Sequence, residues 1–395
     1  MSTINKLLKL MLAVGILGVS SCNNDITDIN LNPNGVNFEE GNPSFLLTEV
    51  MVKTAMDIGN KGYADPLAAF VQYIQKDAWE NNNYDWKGGD TWANYYHNLR
   101  TAKLALERSQ ELEFKFHEAV SLIMIAHNFA LLTDFYGDAP YSEALQGDDN
   151  LLLPKYDSQE SIYKGVIADF EKASAMLASN MGNLEAFAPT QDIYFGGDAE
   201  KWMRYANSLA LRYYMRLSEK DPAYAGPGVQ ATLAKPLISS VDEECAVAYI
   251  GVSPGDSQPS NGQQGSPSDF TRVKPCTTLT DMLTQLDDPR RDLWFAPVAV
   301  QIKVVAAADV PGGGDDVVVD GVRYINEAIL PGSGLKIYDP ATWVADRKAG
   351  LSLIDTSAYV GIPVAYQGSE PYTYNLNPNP IQGGPNPHVS SMNSM

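Results

Sequence analysis

Four histidines, at 97, 117, 127 and 388, and three cysteines, at 22, 245 and 276, are the residues from which metal or nucleophile chemistry would have to be built. No two histidines stand in an H-E-x-x-H arrangement, and none lies beside a cysteine pair at zinc spacing, so no metal is expected. His127 falls within an apolar helical run and reads as a satisfied core histidine. Neither a dinucleotide fingerprint nor a Walker sequence is present, and no cofactor is expected. Gly251-Val252-Ser253-Pro254-Gly255 matches the letters of a nucleophile elbow. Pro254, however, lacks the N–H that the residue after the serine must offer an oxyanion, and no helix follows it, so the segment reads as loop. Gly312-Gly313-Gly314 runs into Asp315 and Asp316, the wrong charge for cradling phosphate. Glycoside hydrolysis needs two carboxylates about 5–9.5 Å apart across a sugar. Asp148-Asp149, Asp287-Asp288 and Asp315-Asp316 are adjacent only in sequence, and in so acidic a chain they read as solvated charge. No catalytic residue is assigned, and the chain reads as a non-enzyme.

Binding is better served. Trp79, Tyr84, Trp86, Trp92, Tyr95 and Tyr96 are interleaved with Asn81, Asn82, Asn83, Asp85 and Asp90, and this stretch holds half of the six tryptophans. Flat indole and phenol faces stack on sugar rings, while amides and carboxylates meet hydroxyls. Trp92, Tyr95 and Tyr96 open an amphipathic helix and are assigned to the core. Trp79, Asn81, Tyr84 and Trp86 lie in Asn- and Gly-rich loop and are the candidate ligand-binding residues.

The elements that must position them are mainly helical. Tyr95, Leu99, Ala102 and Leu106 form one buried stripe on a helix ending near Gln110. Phe114 to Leu132 is apolar nearly all round, which predicts a central helix packed on several sides. A further helix opens at Asp157 or Ser158 and buries Ile162, Val166, Phe170, Ala173 and Leu177. Another begins near Asp198, carries Trp202, Tyr205, Ala206, Leu209, Tyr213 and Leu217, and ends at Asp221-Pro222. Lys201, Arg204, Arg212, Arg216 and Lys220 share one face of it, a pattern expected to pair with nearby carboxylates. These helices form two hairpins of tetratricopeptide character without a strict repeat. Gly251 to Asp269 reads as a long loop, Thr277 to Leu286 as one more helix, and Trp294–Val304 with Val317–Tyr324 as a strand hairpin. Pro371 to Met395 is expected to add no closing element.

Composition bounds the partners. A net charge of -20, from 48 acidic and 28 basic residues, repels nucleic acid and disfavours strongly anionic polysaccharides. Lys6 and Lys9, the apolar run Leu10–Val19 and the small residues before Cys22 form a secretory signal. Val19-Ser20-Ser21-Cys22 resembles a lipobox with Ser in place of the commoner Gly or Ala, and it marks Cys22 for lipidation. The apolar run is shorter than the ~20 residues of a spanning helix, and no later stretch is expected to reach that length. The expected organisation is a signal peptide over 1–21, a lipidated tether over 22–42 and one domain over 43–395. Cys245 and Cys276 are free to pair or to stay apart.

Leu132-Thr133-Asp134-Phe135-Tyr136-Gly137-Asp138-Ala139-Pro140-Tyr141-Ser142-Glu143-Ala144 is similar to the segment ending a central helix in the SusD/RagB family of Bacteroidetes outer-membrane lipoproteins. Other stretches resemble that family in the same order: Asp28–Asn34, Pro154–Tyr163, Gly197–Trp202, Ala206–Arg212 and Leu286–Arg290. The resemblance implies a SusD-like fold, mainly α, with tetratricopeptide-like hairpins, large irregular loops and a minor β-hairpin. It also implies a surface-exposed lipoprotein of the outer membrane that binds oligosaccharide and caps a SusC-like TonB-dependent transporter. Peptide or another nutrient is the alternative cargo; a surface glycoside hydrolase and an adhesive role are the remaining readings. The binding loops of the family vary, so the resemblance carries over no ligand residue. Family members usually continue through further helices beyond the region of Tyr359–Tyr374, so truncation is also an expectation.

Overall fold

The computed structural model describes residues 41–63, 70–76, 92–249, 252, 273–298, 300–329, 358–361 and 390–392. Six helices build the main layer: α1 (Pro43–Tyr63), α2 (Ala93–Glu111), α3 (Lys115–Tyr136), α4 (Gln159–Asn180), α5 (Ala199–Leu217) and α6 (Pro222–Leu233). Each packs on the next in the chain, and α1 also touches α3. This is the stacking of successive antiparallel hairpins, in which a helix too apolar for a single partner is shared between two.

The central position falls to α3, as its composition demands. Phe116, Ala119, Val120, Ile123, Met124, Ala126, Phe129, Ala130 and Leu132 are all buried. At 22 residues it is long and apolar enough to cross a membrane, contrary to the expectation from sequence, but it spends that apolarity on α1, α2 and α4. The helix also runs four residues beyond Leu132, to Tyr136, and Gly137, with a φ of 75°, terminates it and donates its N–H to the Thr133 carbonyl at 2.9 Å.

Three polar side chains inside this layer are joined across helices. Asn98 of α2 donates to Thr54 Oγ1 of α1 at 2.8 Å and to Asn128 Oδ1 of α3 at 3.0 Å, while Asn128 donates to Thr54 Oγ1 at 3.0 Å. All three are buried, so this network sets the register of three helices in a way apolar contacts alone do not. His127 is buried as expected, with Nδ1 at 3.1 Å from the Tyr205 hydroxyl.

One helix escaped the sequence reading. Asp221-Pro222 does not end the helical region: Asp221 caps α6 by accepting from Tyr224 N–H, and Pro222 takes the first turn, where its missing N–H costs nothing. The Gly-Pro-Gly inside α6 hid it. Gly228 is needed there, because a Cβ would meet the Tyr214 ring at 2.1 Å.

Smaller elements follow. β1 (Ile74–Lys76) pairs antiparallel with β4 (Val273–Pro275), which leads into α7 (Thr277–Gln285) and α8 (Arg290–Trp294). β2 (Ala139–Pro140) pairs with β3 (Tyr156–Asp157). The expected strand hairpin is rearranged: β6 (Gln301–Val305) lies parallel to β8 (Val322–Asn326), and β8 makes its hairpin with β7 (Asp316–Val319) across Asp320-Gly321, both at positive φ. Alternation of apolar residues marks strands but not their partners. The C-terminal stretch does add a closing element, since β9 (Ser391–Met392) pairs with β5 (Phe295–Ala296). Cys245 and Cys276 do not form a disulfide with each other.

Candidate binding site

The distinctive segment Leu132–Ala144 is a set of structural ties. Asp134, at the end of α3, accepts from Tyr163 Oη at 2.6 Å and pairs with Arg216 of α5, linking three helices. Asp138 accepts from Gln159 N–H at 2.9 Å and so caps the start of α4. Tyr96 of α2 donates to the Pro140 carbonyl at 2.7 Å. Asp157 accepts from Ser142 N–H at 2.7 Å and from Tyr141 N–H at 3.2 Å. Burial works against the charge on Asp157, but the Ser142 and Tyr141 donors outweigh it and hold its carboxyl below the usual range. The turn between α3 and α4 is thereby fixed on the end of α2.

An aromatic corner results. Trp92 packs with its ring centroid 5.9 Å from Tyr96, 5.7 Å from Tyr136 and 5.7 Å from Tyr156. Tyr95 is buried and Trp92 and Tyr96 pack on the core, as read from the sequence, whereas Tyr156 is 61% exposed and faces solvent. The segment carrying Trp79, Asn81, Tyr84 and Trp86 leaves β1 at Lys76 and returns at Trp92. Those four residues, and Cys22, lie outside the described residues. Both stems are anchored: β1 is hydrogen-bonded to β4, with Cys276 N–H donating to the Tyr73 carbonyl at 2.9 Å, and Trp92 is held in the corner.

One turn farther along α2 lies a cavity of about 460 Å³, lined by Arg100, Thr101, Lys103, Leu104, Glu107, Leu145 and Gly147. Sequence reading missed it, because Leu145 and Gly147 come from the turn after α3. The visible signal was the placement of Arg100, Lys103 and Glu107 along one side of a helix whose opposite stripe is apolar.

A second constellation bears on chemistry. Ser44 Oγ lies 2.8 Å from Nε2 of His117, and Nδ1 of His117 lies 2.8 Å from Glu185 Oε1. The bond order is that of a hydrolytic triad. Ser44 and His117 are buried, however, and the Ser44 N–H already donates to Asn42 Oδ1 at 2.9 Å rather than standing free for an oxyanion. Burial disfavours a charged Glu185, but the His117 ring and backbone donors overcome that and hold its pKa at about 2. The ionised carboxylate must accept from Nδ1–H, and the Ser44 hydroxyl meets Nε2 on the other side of the ring. The three residues clasp the starts of α1 and α3 to the segment before α5.

The remaining charged features are structural. On the basic face of α5, Arg204 pairs with Glu243 at 3.5 Å and Arg216 with Asp134, as expected, whereas Lys201 donates to the Asp242 backbone carbonyl at 2.7 Å instead of to a carboxylate. Asp316 pairs with buried Arg323, and Asp288 accepts from Arg290 Nε at 2.9 Å. Among the described residues no cluster of His, Cys, Asp or Glu could hold a metal ion.

A family model described as starch-binding and associating with the outer membrane matches residues 34–309. The chain belongs to the SusD-like family. No curated protein matches it. Among solved structures, this SusD-like chain is similar to a chitin-binding protein at 22% identity, with 89% of this chain and 64% of that one covered and a TM-score of 0.61. A Bacteroidetes SusD-like protein matches at 22% identity, over 90% of this chain and 68% of that one, with a TM-score of 0.59. A SusD/RagB family protein of Bacteroides thetaiotaomicron matches at 24%, over 69% and 58%, with a TM-score of 0.52. These likenesses support the mainly helical SusD-like fold, and the chain spans 64% of the length of the chitin-binding protein.

Proposed function

We propose that this chain is an outer-membrane lipoprotein, anchored through Cys22 and exposed at the cell surface, that captures oligosaccharides for a SusC-like TonB-dependent transporter. The observation that carries the reading is the aromatic corner. Trp92 and Tyr156 stand where the segment with Trp79, Asn81, Tyr84 and Trp86 rejoins the helices, and both stems of that segment are tied to packed elements. A site needs this combination: a stretch rich in stacking and amide groups, set on a rigid scaffold. Family membership supports binding as the role, and the description of the family supports an association with the outer membrane. The matched solved protein named as chitin-binding is in keeping with a glycan as cargo.

Calorimetry of the full chain in detergent micelles against neutral oligosaccharides and a mixed peptide pool tests this. Glycan binding that falls at least about tenfold in a Trp79→Ala, Trp86→Ala double variant is the expected result. Binding of peptides alone transfers the role to peptide capture, and a shortened oligosaccharide in the cell makes the chain a hydrolase. Metabolic labelling with a fatty acid tests the anchor: label lost in Cys22→Ser supports it, and label retained removes it.

A further inference from the structure

We propose that the cavity between α2 and the turn at Leu145–Gly147 is a second sugar subsite, which takes a single carboxylate-bearing unit, a hexuronate, of an otherwise neutral chain. The inference rests on the glycan-capture reading and adds to it a ligand chemistry and a place apart from the loop aromatics.

The cavity is preformed. Lys103 donates to the Leu145 carbonyl at 3.0 Å, and Leu145 itself is held at a φ of 60°, so the turn is fixed against the helix. A volume of about 460 Å³ lies within the ~300–1,000 Å³ that small-ligand sites occupy.

Its charge is local and unusual for this protein. Lys103 pairs with Glu107 at 3.2 Å, and the two cancel. Arg100 is exposed and makes no ion pair among the described residues, so its guanidinium is the net charge of the lining. The overall charge of -20 opposes an anion at a distance, but screening confines that field to roughly 8–10 Å, and contact chemistry decides inside the cavity. A guanidinium fork matches a carboxylate in a way an ammonium does not. Thr101 adds a hydroxyl that donates and accepts, Glu107 an acceptor, and Leu104 and Leu145 apolar walls for the C–H face of a ring.

The acidic surface of the protein limits how much negative charge the ligand carries. Asp149, two residues beyond Gly147, is exposed. Together with the acidic surface it disfavours a densely anionic polymer and leaves room for an isolated carboxylate.

The test is calorimetric titration of the full chain with an aldobiouronic acid, with its carboxyl-reduced counterpart, and with the neutral oligosaccharide used for the loop aromatics. The expected result is about 3–10-fold tighter binding of the acidic sugar than of its reduced form, the worth of a solvent-screened guanidinium–carboxylate pair. That preference should vanish in Arg100→Gln, shrink in Arg100→Lys, and survive in Trp79→Ala. Arg100 is exposed, so these substitutions leave the core untouched. Equal binding of acidic and reduced sugars, or a preference that persists in Arg100→Gln, overturns the subsite. If the neutral oligosaccharide still binds in that case, glycan capture stands without it, and binding of no sugar at all removes both.

Discussion

The indole N–H of Trp202 donates to Oδ2 of Asp192 at 2.8 Å, and the same carboxylate accepts from the backbone N–H of Tyr194, Phe195 and Gly197. Both residues are buried, so a single side chain organises the turn before α5 and orients the largest side chain of the core. Asp192→Ala leaves four donors unsatisfied in the interior. The expected cost is about 3–5 kcal/mol, read as a lowered urea midpoint.

The same turn depends on Gly197. Its φ is 86°, and a Cβ there would stand 2.2 Å from the Phe187 carbonyl oxygen. Backbone cannot yield as a side-chain tip can. Gly197→Ala should destabilise by about 2–4 kcal/mol, a comparable drop in the same denaturation experiment.

Acid should weaken the fold in two windows. Burial first, and then the positive charge of Arg212, lower the His127 pKa from 6.5 to about 4. The unfolded chain binds that proton more readily, so this contribution is whole above about pH 6.5 and is lost as pH falls through 4. Glu185 is held at about 2 against an ordinary 4.5, and its contribution is whole above 4.5 and lost as pH falls toward 2. Urea midpoints taken from neutral pH down to about pH 3 should fall in both windows. His127→Gln should flatten the upper decline alone, and Glu185→Gln the lower.

Asp134 joins the end of α3 to α4 and α5 through Tyr163 and Arg216. Asp134→Asn keeps the shape but removes the charge, and it should cost about 1–3 kcal/mol. Protection of α5 amides from hydrogen exchange near Arg216 should fall with it; unchanged protection would exclude this tie as a stabilising link.

Helix-period patterns were sufficient where apolar stripes were long. The expected helix at Asp157 or Ser158 is α4, capped by Ser158, whose Oγ accepts from Ser161 N–H, and the one near Asp198 is α5, capped by Asp198. They failed at α6, where Gly226, Pro227 and Gly228 mask a helix capped by Asp221, and Gly228 is there because a Cβ would meet the Tyr214 ring. They failed again at β6, because a parallel partner is chosen by the path of the chain rather than by alternation.

The sequence by itself determined the helical class and the family, since periodicity, composition and the Leu132–Ala144 signature are all written locally. Only the tertiary structure decided that this signature is a knot of caps and ties, and that Ser44, His117 and Glu185 form a buried clasp. It also brought Leu145 and Gly147 over Arg100. Contacts between residues 40 or more positions apart depend on how helices stack, and helix stacking is fixed by packing and by paired buried polar groups that no local pattern encodes.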